Sequence, residues 1–112
     1  MTAYRKWDIV LVPFPFTDLT AVKRRPALII SPNSYSSSGP DVVIVFITSR
    51  MDLPSRPGDH RIRFWKESGL PKPSMMRMRF ATIDQTIIIK KLGSLFRKEH
   101  GAVRAVLKEF FL

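Results

Sequence analysis

Three short apolar runs limit the fold of this chain more than any other feature. Asp8-Ile-Val-Leu-Val-Pro-Phe14, Pro26-Ala-Leu-Ile-Ile-Ser31 and Val42-Val-Ile-Val-Phe-Ile47 are rich in β-branched and aromatic residues. Each is bounded by proline or polar residues and is too short for an ordinary helix, so each reads as a strand. The third run has no polar residue inside it, which predicts burial on both faces. Between the first two, Phe16 to Arg25 is polar and then sharply basic, as an exposed loop would be. Pro32 to Pro40 holds Asn33, four serines and Gly39, and reads as a turn with a short helical turn in its middle.

The second half continues in short pieces. Met51 to Asp59, with Pro54, Pro57 and Gly58, reads as a long loop. His60-Arg-Ile-Arg-Phe-Trp65 alternates basic and apolar residues, which predicts a half-exposed strand. Ser74 to Phe80 predicts another strand, with Arg77 and Arg79 on one face and Met76, Met78 and Phe80 on the other. The end is different. Val103, Val106, Leu107, Phe110 and Phe111 fall at i, i+3, i+4, i+7 and i+8, one helical stripe, which predicts a helix from Arg97 to Phe110. Phe96 is a poor N-cap and Gly101 weakens that helix by up to ~1 kcal/mol relative to alanine, so packing must hold it. Many short strands followed by one helix predict a mainly β fold, a small curved antiparallel barrel or sandwich of about five to seven strands with a C-terminal helix. The 112 residues have no internal repeat and no long linker, so residues 1–112 are expected to form one domain.

Composition narrows the chemistry. No apolar run reaches the ~20 residues of a membrane span, and the N-terminus lacks the pattern of a secretory signal. The expected setting is the cytoplasm. The chain has no cysteine, which excludes disulfides, thiolate metal sites and a cysteine nucleophile. His60 and His100 lie far apart in sequence, so no metal and no other cofactor is expected. The five glycines are scattered, so no phosphate-binding loop is present. Arginines, hydroxyls and carboxylates remain. Nineteen Lys and Arg against nine Asp and Glu give a net charge of +10. These cations are interleaved with apolar residues rather than collected in a tail, which predicts a charged face on a folded body. Nucleic acid is the commonest partner of such a field, and an acidic protein the next.

Two short stretches concentrate candidate site residues. Lys23-Arg24-Arg25-Pro26 sets three cations at the start of a strand, and a guanidinium fork matches phosphate geometry. The competing reading is a solvated charge run. Thr48-Ser49-Arg50 ends the third strand with two hydroxyls and a guanidinium, able to orient a phosphate or sugar. The competing reading is a strand end that caps its own backbone.

Together these blocks resemble the MazF/PemK toxins of bacterial toxin–antitoxin pairs. Asp8 to Asp18, Lys23 to Ser31 and Ile47-Thr-Ser-Arg50 carry the resemblance. Lys72-Pro-Ser74, Ala81-Thr-Ile-Asp84 and Leu92-Gly93 continue it in order. The resemblance implies an SH3-like barrel with a C-terminal helix and a homodimer. It implies a metal-independent endoribonuclease that cuts single-stranded RNA, and a cognate antitoxin that covers the RNA groove. It implies Arg25 and Thr48 as the catalytic pair, with Ser49 in support. Phe16, Thr17, Lys23, Arg24, Arg50, Arg77 and Arg79 are the expected RNA contacts. Phe16 is the candidate to stack on a base, whereas Phe14 is expected in the core.

The chain departs from the family pattern at two places. Trp7-Asp8 stands where many members have Gly-Asp. Arg77-Met78-Arg79 stands where some have Arg-x-Asp, so the strand carboxylate proposed as a base is missing; Asp18 and Asp84 are the other carboxylates to consider. Two alternatives stand beside the nuclease. One is a non-enzymatic toxin of the same fold that inhibits a protein such as gyrase. The other is a catalytically inactive basic RNA-binding barrel.

Overall fold

A computed structural model describes residues 4–14 and 23–112. Six strands follow in chain order: β1 (Asp8–Pro13), β2 (Arg24–Ile29), β3 (Asp41–Thr48), β4 (His60–Arg61), β5 (Met75–Asp84) and β6 (Lys90–Ser94). A short helix α1 (Asn33–Ser38) joins β2 to β3, a 3-10 turn (Gln85–Ile87) follows β5, and helix α2 (Arg97–Phe111) ends the chain. The strands form one antiparallel sheet in the order β4-β5-β3-β2-β1-β6. It curls into a half-barrel.

The period-2 pattern decides how the sheet is filled. On one face Ile9, Leu28, Val45, Ile47 and Met76 are buried against Val103 of α2, with Val106 and Leu107 packed beside them. The other face buries Val10, Val12, Ala27, Ile29, Val42, Ile44 and Phe46. β3 contributes to both clusters, as its unbroken apolar run predicts. Each such Val or Ile contributes roughly 1.5–3 kcal/mol of burial. Met76, Met78 and Phe80 belong to the α2 side, as their alternation with Arg77 and Arg79 predicts.

The helix begins at Arg97 and runs one residue further than expected, to Phe111, and Phe96 makes no side-chain cap. Glu99 compensates from within the first turn. It is 3% exposed, and its carboxylate accepts the backbone N–H of Arg63 at 3.2 Å and of Phe64 at 2.8 Å. It also meets His60 Nε2 at 2.8 Å.

That contact corrects the strand expected over residues 60–65. Only His60 and Arg61 pair with β5, opposite Met76 and Met75. From residue 63 the chain turns, because Glu99 takes the N–H groups that a ladder would need. Bonds from Ser68 N to Phe64 O (3.0 Å) and Leu70 N to Trp65 O (3.0 Å) close the turn. Gly93 in β6 packs directly on this turn; a Cβ there would collide with Ser68 O.

Candidate functional site

Register brings the two cationic stretches together. In the β2–β3 ladder Ala27 faces Phe46. Two residues further along the same antiparallel register, Arg25 draws level with Thr48. β5 adds to this end of the sheet through an irregularity. Val45 pairs with Phe80 and Ile47 with Met76, so Arg77, Met78 and Arg79 together oppose the single residue Phe46. Such a bulge re-aims side chains, and here Arg77 and Arg79 both reach the end of β3.

The result is a pocket of about 180 Å³ lined by Phe14, Arg25, Phe46, Thr48, Arg50, Leu53, Arg77 and Arg79, with Ile47 at its base. Its floor is aromatic. Phe14 and Phe46 meet edge to face, with ring centroids 5.2 Å apart. The Arg25 and Arg79 guanidinium carbons lie 5.8 and 5.4 Å from the Phe14 ring centroid, within cation–π range. Among the described residues neither guanidinium is ion-paired. Their charge is available to an anion.

Thr48 Oγ1 accepts the Arg50 N–H at 3.1 Å, the expected turn at the strand end. A hydroxyl that accepts in this way keeps its own proton to donate. Arg50 makes a long, exposed contact of 3.4 Å with Asp52, which is weak by its exposure. Asp52 is held below the usual carboxylate range by that Arg50 contact. Ser49 is exposed beside Thr48. Lys23 and Arg24 are exposed at the open end of the β1–β2 pair, where Lys23 O accepts the Phe14 N–H at 2.8 Å. Phe16, Thr17 and Asp18 lie outside the described residues.

Arg77 sits differently from the other arginines. Its Nε and Nη2 grip the Asp59 carboxylate at 3.0 and 2.8 Å, and Nη2 also donates to Pro54 O. Asp59 Oδ2 further accepts the Arg56 N–H at 2.9 Å. The Arg77 hydrogen bonds hold the Asp59 carboxyl below the usual range, despite partial burial. In turn Asp59 raises the Arg77 guanidinium further. Sequence reasoning missed Asp59, since the two residues lie 18 apart and no local spacing links them.

Asp84 is far from the pocket. It faces Asp41, at the other end of β3 from Thr48. Seven residues at ~3.3 Å each separate those ends by about 23 Å. Its carboxylate caps the 3-10 turn through Thr86 N (2.9 Å) and Thr86 Oγ1 (2.8 Å), and these bonds hold it below the usual carboxylate range. Phe14 proves to be both core and pocket floor, and Trp65 packs on the α2-side core. Among the described residues no three His, Asp or Glu side chains converge as a metal site, and no helix is long and apolar enough to cross a membrane.

A family model described as PemK-like, MazF-like toxin of type II toxin–antitoxin systems matches residues 5–111. The chain belongs to the PemK/MazF-like toxin family. Solved structures share its fold at low sequence identity. One is an endoribonuclease in complex with its cognate antitoxin from a Mycobacterial species. It is 17% identical with a TM-score of 0.75, over 97% of this chain and 95% of that one. The Mycobacterium tuberculosis toxin MazF-mt6 is 18% identical with a TM-score of 0.73, over 93% and 95% of the two chains. MazE–MazF from Deinococcus radiodurans is 18% identical with a TM-score of 0.72, over 99% and 97%. No curated protein sequence matches the chain.

Proposed function

We propose that this PemK/MazF-like toxin is a metal-independent endoribonuclease that cleaves single-stranded RNA in the Arg25–Thr48 pocket. One observation carries the reading: register and a bulge gather Arg25, Thr48, Arg50 and Arg79 around an aromatic floor, with Arg25 and Arg79 in no ion pair among the described residues. Endoribonucleases among the structural neighbours support it.

The chemistry follows from those donors. The ribose 2′-oxygen loses its proton to water and bonds to the adjacent phosphorus, the P–O5′ bond breaks, and O5′ takes up a proton from water. The products are a 2′,3′-cyclic phosphate and a 5′-hydroxyl. Charge builds on the phosphoryl oxygens, and Arg25 holds it. An arginine keeps its proton to above pH ~12, so its role is electrostatic rather than that of a base. Thr48 Oγ1 and Ser49 add hydrogen bonds at the same phosphate. Arg50, Arg79, Lys23 and Arg24 follow the backbone on either side, and the segment holding Phe16 and Thr17 adds base contacts.

The partners in this reading are single-stranded RNA, a cognate antitoxin that covers the pocket, and a second copy of the chain. A toxin–antitoxin complex among the neighbours supports the antitoxin. An apolar groove lined by Ile30, Tyr35, Phe80 and Phe111 supports a protein contact on the α2 side. An RNA substrate places the activity in the cytoplasm.

The test is incubation with a mixed-sequence single-stranded RNA in excess EDTA, with fragment ends read for 5′-hydroxyl and cyclic phosphate. Cleavage is expected, and Arg25→Ala lowers its rate by roughly 10²–10³ or more while retaining most of the binding. Absence of cleavage by the folded protein overturns the nuclease reading in favour of a protein-inhibiting toxin or a binding barrel.

A further inference from the structure

Loop 51–59 is fastened at several points along β5. Arg77 grips Asp59 with a two-point fork and reaches Pro54 O with the same guanidinium. Asp59 closes the loop on itself through Arg56 N. Gly58, at φ +88°, lies flat on Met78 and near Phe110; a Cβ there would collide with Met78 Cγ. A glycine is thus needed twice over, for its backbone conformation and for the close approach. Leu53, next to the first fastened residue Pro54, lines the same pocket as Phe14, Arg25 and Thr48.

The distribution of charge separates Arg77 from its neighbours. Among the described residues Arg25 and Arg79 reach the pocket without an ion pair, whereas Arg77 spends its fork on Asp59 at 16% and 11% side-chain exposure. A bidentate guanidinium–carboxylate pair is directional and orders both partners. Its geometric consequence here is the position of the loop.

We infer that the Asp59–Arg77 pair is a latch that holds loop 51–59 as one wall of the pocket, and that Leu53 is the wall residue it positions against an RNA base. The inference rests on the nuclease reading for its ligand, but not for the latch. Asp59 and Arg77 are positioning residues, and Leu53 sets how tightly and how selectively a base is held.

Steady-state cleavage of a short single-stranded RNA by Asp59→Ala, Leu53→Ala and the double variant tests this. Each single change is expected to raise KM roughly three- to tenfold with kcat within about twofold, the loss that follows when a preordered wall must be ordered on binding. The double variant is expected to match the worse single, because both remove the same wall. Arg77→Lys keeps the charge but loses the fork, and is expected to behave as Asp59→Ala does. Additive effects overturn the assignment of Leu53. A lower KM in Asp59→Ala, with a salt dependence of binding steeper by about 0.7, overturns the latch. Arg77 would then be a phosphate contact that Asp59 restrains.

Amide hydrogen exchange over residues 51–59 gives a readout that needs no RNA. Faster exchange is expected in Asp59→Ala and unchanged exchange in Leu53→Ala. Unchanged exchange in Asp59→Ala overturns the latch whatever the activity. A wild-type protein that neither binds nor cuts RNA overturns the nuclease reading, and exchange still decides the latch.

Discussion

Asp59 and Glu99 perform the same physical task in contrasting surroundings. Each is a carboxylate that draws a distant segment into place, and the residues they bind, Arg77 and His60, lie on paired strands. Glu99 is buried in the first turn of α2 and accepts two backbone N–H groups as well as contacting His60. Asp59 pairs with the guanidinium of Arg77, a residue of the pocket lining, and accepts one backbone N–H, that of Arg56 in its own loop. The difference lies in what each leaves behind when removed. Without Glu99, the N–H groups of Arg63 and Phe64 lose their acceptor in a part-buried turn. Without Asp59, the half-buried Arg77 guanidinium on the pocket lining loses its fork partner. Glu99 therefore belongs to the fold and Asp59 to the site, although His60 and Asp59 are consecutive in sequence.

Glu99→Ala should give the largest effect on stability. Stranding buried donors costs roughly 1–3 kcal/mol each. A loss of about 2–4 kcal/mol is therefore expected in denaturant unfolding, with activity lost in step with the folded fraction. Val103→Ala should act through the same helix, at about 1–3 kcal/mol for the methyls removed from a fully buried position. If Glu99→Ala instead leaves the unfolding midpoint unchanged and shifts KM, the distinction between the two carboxylates fails.

Acid should divide them in a gentler way. Arg77 lowers the Asp59 carboxyl below its ordinary value of 3.8. A carboxylate depressed in the folded state contributes stability that is fully present above the unfolded value. That contribution is lost as pH falls through the folded one. Above pH ~5 the latch is complete, and below about pH 4 it weakens. Asp59→Asn should therefore lower the neutral plateau of the stability curve and flatten its acid limb, so that the two curves converge as pH falls below about 4. Equal slopes in wild type and variant would remove Asp59 from the acid response.

How much of this was legible in the sequence depends on the range of the interaction. β1, β2 and β3 were legible because their residues are apolar by themselves, whatever they pair with. The α2 stripe was legible because its period is local, and it predicted the helix start at Arg97. The expected strand at 60–65 failed because Glu99, more than thirty residues away, decides where those N–H groups go. The importance of Arg25 and Thr48 came from a resemblance, but their meeting depends on the register that sets Ala27 against Phe46. The double contribution of Arg77 and Arg79 depends on a bulge opposite Phe46 that alternation does not encode. Asp59 had no local signal, since an aspartate after Pro-Gly reads as turn chemistry alone.

The smallest predicted effect probes whether the two regions are independent. Gly101 sits in α2 between Glu99 and Val103, is exposed, and, its own helix backbone aside, has open space where a Cβ would stand. Alanine there fits without displacement and raises helix propensity, so Gly101→Ala should stabilise by up to ~1 kcal/mol. That is a rise in Tm of a few degrees for a domain of this size. The pocket lies on the other side of β5 from α2, so KM should not change. A physical bridge is Phe110, which touches Phe80 and lies near Gly58 of the fastened loop. A stabilised helix that also lowers KM would show that α2 braces loop 51–59 through Phe110. The carboxylate of the fold and the carboxylate of the site would then act on one mechanical unit rather than two.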